Sequence, residues 1–96
     1  MYELKPAQAG TLESNDIMIT VAPGPIGSGV VIELESIVLA QYGQAIKKTI
    51  AGVIGEHNIT DIYVKAVDRG ALDCTIKART LAALGRAGVI TSKELI

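Results

Sequence analysis

Val30-Val31-Ile32-Glu33-Leu34-Glu35-Ser36 places Val30, Ile32 and Leu34 on one face and Glu33 and Glu35 on the other. That two-residue period is a half-buried strand, with its carboxylates solvated or protecting an edge. At Ser36 the period changes. Val38, Tyr42, Ala45, Ile46, Thr49, Ile50, Val53 and Ile54 recur at steps of three and four, one broad apolar stripe on a helix that reaches about Glu56. Ser36 is placed to cap that helix, His57 sits where its C-terminal dipole favours a cation, and Asn58 suits the C-cap. A helix of about 20 residues spans roughly 30 Å, enough to cover a small sheet. Gly43, Gly52 and Gly55 each weaken it by about 1 kcal/mol relative to Ala; close packing on the sheet is the expected reason for them.

Outward from this unit, strands continue on both sides. Upstream, Asp16 to Val21 alternates, with Ile17, Ile19 and Val21 on one face. Residues 2–12, with Pro6 and several small residues, form a lead-in that becomes a short strand at Gly10–Glu13. Ser14-Asn15 then falls at a hairpin tip, since Asn tolerates the left-handed backbone of a tight turn. Ala22 to Gly29 reads as a flexible hairpin loop; it lacks the spacing and the Lys-Ser/Thr of a phosphate-binding loop. Downstream, Thr60 to Val67 is a strand with Ile62, Val64 and Ala66 inward, ended by a turn at Asp68-Arg69-Gly70. Asp73 caps a second helix, Cys74 to about Ala87, with Cys74, Ala78, Leu81 and Ala82 as its buried side. Alternation of Leu72, Cys74 and Ile76 keeps a strand open over 71–76. The tail, Gly88–Ile96, has no pattern and is expected to be loosely ordered. The reading is α+β: one small domain over 1–96, β-β-β-α-β-α, a sheet with its helices packed on one face. Strands Val30–Glu35 and Thr60–Val67 are expected to be parallel, adjacent or one strand apart.

Bulk composition narrows the function. A hydrophobic content of 49% and a charged content of 20% describe a folded chain. Three tyrosines, no Trp and no Phe leave no aromatic platform for bases or sugars. A net charge of −1 attracts neither nucleic acid nor an anionic membrane. The N-terminus lacks a signal-peptide pattern, and no apolar run is long enough to span a membrane. With one cysteine and no internal disulfide, a reducing cytoplasm is the expected location, where the Asn58-Ile59-Thr60 sequon is silent. His57, the only histidine, has no evident link to a nucleophile. Cys74 reads as an inert core thiol, and one His with one Cys is a poor metal set. Intrinsic catalysis is not expected.

Ser14 remains. It is a turn residue bonding its own backbone, a phosphorylation site, or the anchor of a covalent arm. Composition favours the first, and the residues alone leave all three open.

Ala9-Gly10-Thr11-Leu12-Glu13-Ser14-Asn15-Asp16-Ile17-Met18-Ile19 resembles the prosthetic-group attachment motif of the citrate lyase acyl carrier proteins, the gamma subunits of that complex. The likeness continues through Ile32–Ser36, Val38, Gln41-Tyr42-Gly43 and Ile46. It returns in Val67-Asp68-Arg69-Gly70-Ala71-Leu72-Asp73-Cys74-Thr75-Ile76 and Lys77-Ala78-Arg79. Leu39, Ala40, the Pro23–Gly29 loop and the tail depart from the family's pattern. The Asp-Ser-Leu motif of the helical fatty-acid carriers is missing. The resemblance implies that Ser14 bears 2'-(5''-phosphoribosyl)-3'-dephospho-CoA through a phosphodiester, installed by a prosthetic-group transferase and acetylated by a ligase. It implies further that an alpha subunit (acyl transferase) exchanges acetyl for citryl, and a beta subunit (acyl lyase) releases oxaloacetate. The alternatives are the carrier subunit of malonate decarboxylase, a non-covalent regulatory or ligand-binding α/β module, and a phosphoprotein switched at Ser14. Glu13, Asn15 and Asp16, flanking the tip, are the expected docking residues.

Overall fold

The computed structural model describes residues 4–89. In chain order the elements are β1 (Ala7–Ala9), β2 (Ile17–Pro23), β3 (Val30–Ser36), α1 (Leu39–Glu56), β4 (Ile62–Asp68) and α2 (Asp73–Arg86). This is the expected α+β order, and residues 73–76 are helical. The sheet runs β1-β2-β4-β3. β1 and β4 pair antiparallel with β2, while β3 lies parallel to β4 as its direct neighbour.

Alternation in β2 and β4 builds the core. Ile17, Ile19 and Val21 stand opposite Asp68, Ala66 and Val64, so their side chains share one face of the sheet. All are buried, and the five apolar ones join Ile46, Ile50 and Ile54 of α1 with Ile76, Ala83 and Leu84 of α2 in one cluster. Both helices therefore seal the same face. Lys65, on the opposite face of β4, is exposed.

Several expectations change. The first strand is Ala7–Ala9, not Gly10–Glu13. Gly10 ends it: its φ is +98°, and a β-carbon there would stand 1.8 Å from the Ile17 carbonyl oxygen. Only glycine fits that approach. The Ala22–Gly29 segment is no hairpin loop, because β4 lies between β2 and β3. Nor is it loose. Asp61 Oδ1 accepts the Gly27 and Gly29 N–H groups, each at 3.0 Å.

β3 is an edge strand, so Ile32 and Leu34 are half-buried and Val30 is exposed. α1 starts at Leu39 with Val38 as its N-cap residue and no side-chain cap. Ser36 instead accepts the Val38 N–H at 3.1 Å and donates to Asp68 at 2.8 Å. The buried stripe of α1 is narrower than expected, with Tyr42 and Ala45 exposed. Packing on the sheet accounts for none of its glycines: Gly43 is buried, but a β-carbon there would meet Leu39 of the same helix, and at Gly52 and Gly55 it would meet open space. Asn58 does adopt the left-handed conformation after the helix, φ 56°.

On α2, Ile76, Thr80, Ala83 and Leu84 are buried, while Cys74 and Ala78 are exposed. The inward stripe lies two residues from the expected one because Thr80 can go inside: its hydroxyl donates to the Ile76 carbonyl at 2.8 Å. After α2 the chain is tied down. Gly88, φ +84°, donates to the Gly85 carbonyl and Val89 to that of Leu84, a Schellman closure with Val89 packed on the core. The expected loose tail otherwise falls on residues 90–96, outside the described residues.

Candidate functional site

β1 and β2 form a hairpin whose loop, residues 10–16, carries Ser14. Asp16 N–H donates to the Glu13 carbonyl at 3.2 Å, closing a four-residue turn with Ser14 and Asn15 at its centre. Asn15 has φ 64°, the positive value a type II turn requires at its third position. Asn supplies it at small cost, as its sequence position implied. Leu12, Glu13, Ser14 and Asn15 are all exposed.

The shoulders of this turn are fixed. Asn15 N–H donates to the Arg69 carbonyl and Arg69 N–H to the Asp16 carbonyl, both at 2.8 Å, so the end of β4 clamps the loop. Asp16 does not face solvent as its place beside the tip suggested; it is buried. Its carboxylate accepts Arg79 Nε at 3.0 Å and Nη2 at 2.9 Å, a two-point ion pair from α2. It also accepts the Thr11 hydroxyl at 2.6 Å and the Ile17 N–H at 2.7 Å. The Arg79 hydrogen bonds, then Thr11, hold the Asp16 carboxyl well below the usual carboxylate range, with burial opposing them. Asp16 is thereby removed from the expected docking set. None of these bonds uses the Ser14 hydroxyl, which stands beyond them.

A second network organises the surface beside the turn. Asp68, at the buried end of β4, accepts the Ser36 hydroxyl, the Gly70 N–H at 3.2 Å and the Ala71 N–H at 3.0 Å. It thus locks the β3–α1 and β4–α2 junctions together. Between those junctions α1 and the start of α2 border a cleft of about 320 Å³, lined by Tyr42, Ala45, Ile46, Gly70, Leu72 and Ile76 among others. Ile37, Leu39, Tyr42 and Leu72 are large apolar side chains left exposed in this part of the chain.

The other candidates do not converge on Ser14. His57 closes α1 as its C-cap residue. Cys74 lies in the first turn of α2, exposed rather than an inert core thiol. Tyr63 donates its hydroxyl to Glu33 on the exposed face of β3 and β4. Among the described residues no three His, Cys, Asp or Glu side chains gather as a metal site, and no helix is long and apolar enough to cross a membrane.

Sequence reasoning missed Asp16–Arg79 and Asp68–Ser36. Asp68 was findable: continuing the alternation of Ile62, Val64 and Ala66 puts it on the inward face. Asp16 was not, because alternation from Ile17 turns it outward and its partner lies 63 positions away.

Residues 4–87 match the acyl carrier family described as malonate decarboxylase delta subunit (MdcD). The citrate lyase acyl carrier protein of Latilactobacillus sakei is 53% identical over 80 residues, 83% of this chain and 77% of that one. The protein of the same name from Halothermothrix orenii is 52% identical over 81 residues, 84% of each chain. That from Streptococcus mutans is 49% identical over 84 residues, 88% of this chain and 81% of that one. A chain in the crystal structure of a Pseudomonas malonate decarboxylase hetero-tetramer in complex with malonate superposes with a TM-score of 0.76 over 92% of this chain and 89% of that one. At 16% identity it shares the fold alone. With half of its residues identical to theirs over most of its length, this chain belongs to the family of the citrate lyase acyl carrier proteins, and its role is that of a carrier rather than a catalyst.

Proposed function

We propose that Ser14 is the point at which a phosphoribosyl-dephospho-CoA arm is attached, and that the chain presents acyl groups on that arm to the alpha and beta subunits of a citrate lyase in the cytoplasm. One observation carries the reading: Ser14 is exposed at the tip of a turn whose own hydrogen bonds leave its hydroxyl unused. A phosphodiester on such an oxygen is solvated on all sides and strains nothing behind it. The bound group would supply a terminal thiol that holds the acyl unit as a thioester. The residues of the chain supply position. Arg79, Asp16 and Thr11 fix the base of the turn, and Asn15 sets its curvature.

A carrier of malonate decarboxylase is the second reading, supported by the family description and by the shared fold. Identity near one half to the citrate lyase carriers favours the first. The test is reconstitution. The chain is produced with the prosthetic-group transferase and acetylating ligase in a Cys74→Ser background, because Cys74 is itself exposed and would confuse thiol counts. One new thiol after transferase treatment and before acetylation, and citrate-dependent oxaloacetate release once the arm is acetylated and citrate lyase alpha and beta subunits are added, are the expected results. A loaded chain that supports malonate decarboxylation but releases no oxaloacetate overturns the citrate lyase reading.

A further inference from the structure

We propose that the apolar cleft between α1 and the β4–α2 junction is the resting place of the distal end of the arm when it carries a small uncharged acyl group. This rests on Ser14 as the attachment point and goes beyond it, since a carrier needs no berth of its own.

Three observations converge. The first is continuity. Gly70 lines the cleft, and a β-carbon on Gly70 would stand 3.6 Å from Asn15 Oδ1 and 3.7 Å from Ile37 Cδ1. The side chain of the residue next to Ser14 therefore borders the space over Gly70, at the edge of the cleft's lining. The second is size and chemistry. A volume of about 320 Å³ is at the lower end of the ~300–1,000 Å³ of small-molecule sites, room for the end of an arm and not for all of it. Tyr42, Ala45, Ile46, Leu72 and Ile76 suit methylenes, branched methyls and an acetyl methyl. Amide N–H groups of a pantetheine segment meet the Asp73 carboxylate, which lines the cleft with Thr49 and accepts the Thr49 hydroxyl at 2.7 Å. The third is tethering. A covalent tether gives an effective concentration on the order of millimolar, so a site of about millimolar affinity is roughly half filled without any bimolecular association.

The same chemistry makes the berth selective. A citryl group brings ionised carboxylates, which an apolar lining cannot solvate. Acetyl arms shelter in the cleft, and citryl arms stay in water where a partner can take them.

The Cys74→Ser chain is loaded, its adduct confirmed by intact mass, and its arm acetylated. Methyl NMR should then show shifts at Ala45, Ile46, Leu72 and Ile76 relative to the unloaded chain, with cross-peaks to the arm. Hydroxylamine should cleave the acetyl thioester about twofold or more slowly than it cleaves acetyl-pantetheine. Ala45→Leu, at an exposed helical position that tolerates the change, should narrow the cleft and return the rate to that of acetyl-pantetheine. A confirmed adduct with shifts confined to residues 12–16, and a rate equal to that of acetyl-pantetheine, overturns the berth and leaves the attachment site standing. Absence of any adduct in the presence of active transferase overturns both.

Discussion

The Ser14 loop and the Gly24–Gly29 loop flank the two ends of β2, and each is held by an aspartate, but the aspartates do different things. Asp61 precedes β4 and gathers backbone N–H groups of Gly27 and Gly29, while its carbonyl accepts from Gly24. It ties the loop to the neighbouring strand and to nothing else. At its tip Ile26 is fully exposed. Asp16 gathers side chains: the Thr11 hydroxyl from its own loop and the Arg79 guanidinium from α2. It fixes its loop to the helical layer. A Gly- and Pro-rich sequence and an anchor on the neighbouring strand suffice for a connection. A loop that must hold one side chain at a set place relative to the helices needs an anchor in the helical layer, and of these two loops the Ser14 loop has it in Arg79.

The largest effect should come from Gly10→Ala. A β-carbon 1.8 Å from the Ile17 carbonyl on a φ of +98° cannot be accommodated without opening the base of the Ser14 loop. A loss of about 3 kcal/mol or more is expected by urea unfolding. Asp16→Ala comes next. Removing an acceptor of charge-assisted bonds should cost about 2 kcal/mol and reduce hydrogen-exchange protection at Asn15 and Arg69. The pH dependence has a definite sign. The Asp16 pKa is depressed in the folded chain, so its contribution is fully present above the ordinary value of 3.8 and fades as pH falls below it. Acid titration of stability should be shallower in Asp16→Asn than in the native chain.

Asp61→Ala sharpens the contrast from the other side. It should cost about 1 kcal/mol, loosen Gly27 and Gly29 by hydrogen exchange, and leave the Ser14 turn and its loading unchanged. Ser14→Ala should be smallest, within about 0.5 kcal/mol of the native stability, because among the described residues no hydrogen bond of the loop runs through its hydroxyl.

How much of this was legible depended on whether a residue's role was local. β2, β3, α1 and β4 follow from periods that Ile17, Ile32, Ile46 and Val64 carry in their own neighbourhoods, and their order decides the class. The exposed turn was legible because Asn15 declares a left-handed position by its own chemistry. Illegible features were those set by distant partners. β1 is three residues long and ends at Gly10 only because Ile17 folds back against it. An apolar thiol at Cys74 fits a helix stripe, yet Thr80 holds the buried place by bonding its own helix. Asp16 reads as a surface charge because nothing near it in the chain names Arg79 as its partner.

The most direct test of the central claim is peptide mapping of the chain produced with its prosthetic-group transferase. The account predicts one large adduct, on the peptide containing Leu12–Asp16, localised by fragmentation to Ser14 and absent from a folded Ser14→Ala variant. An adduct on any other residue, or one that persists in Ser14→Ala, would contradict it.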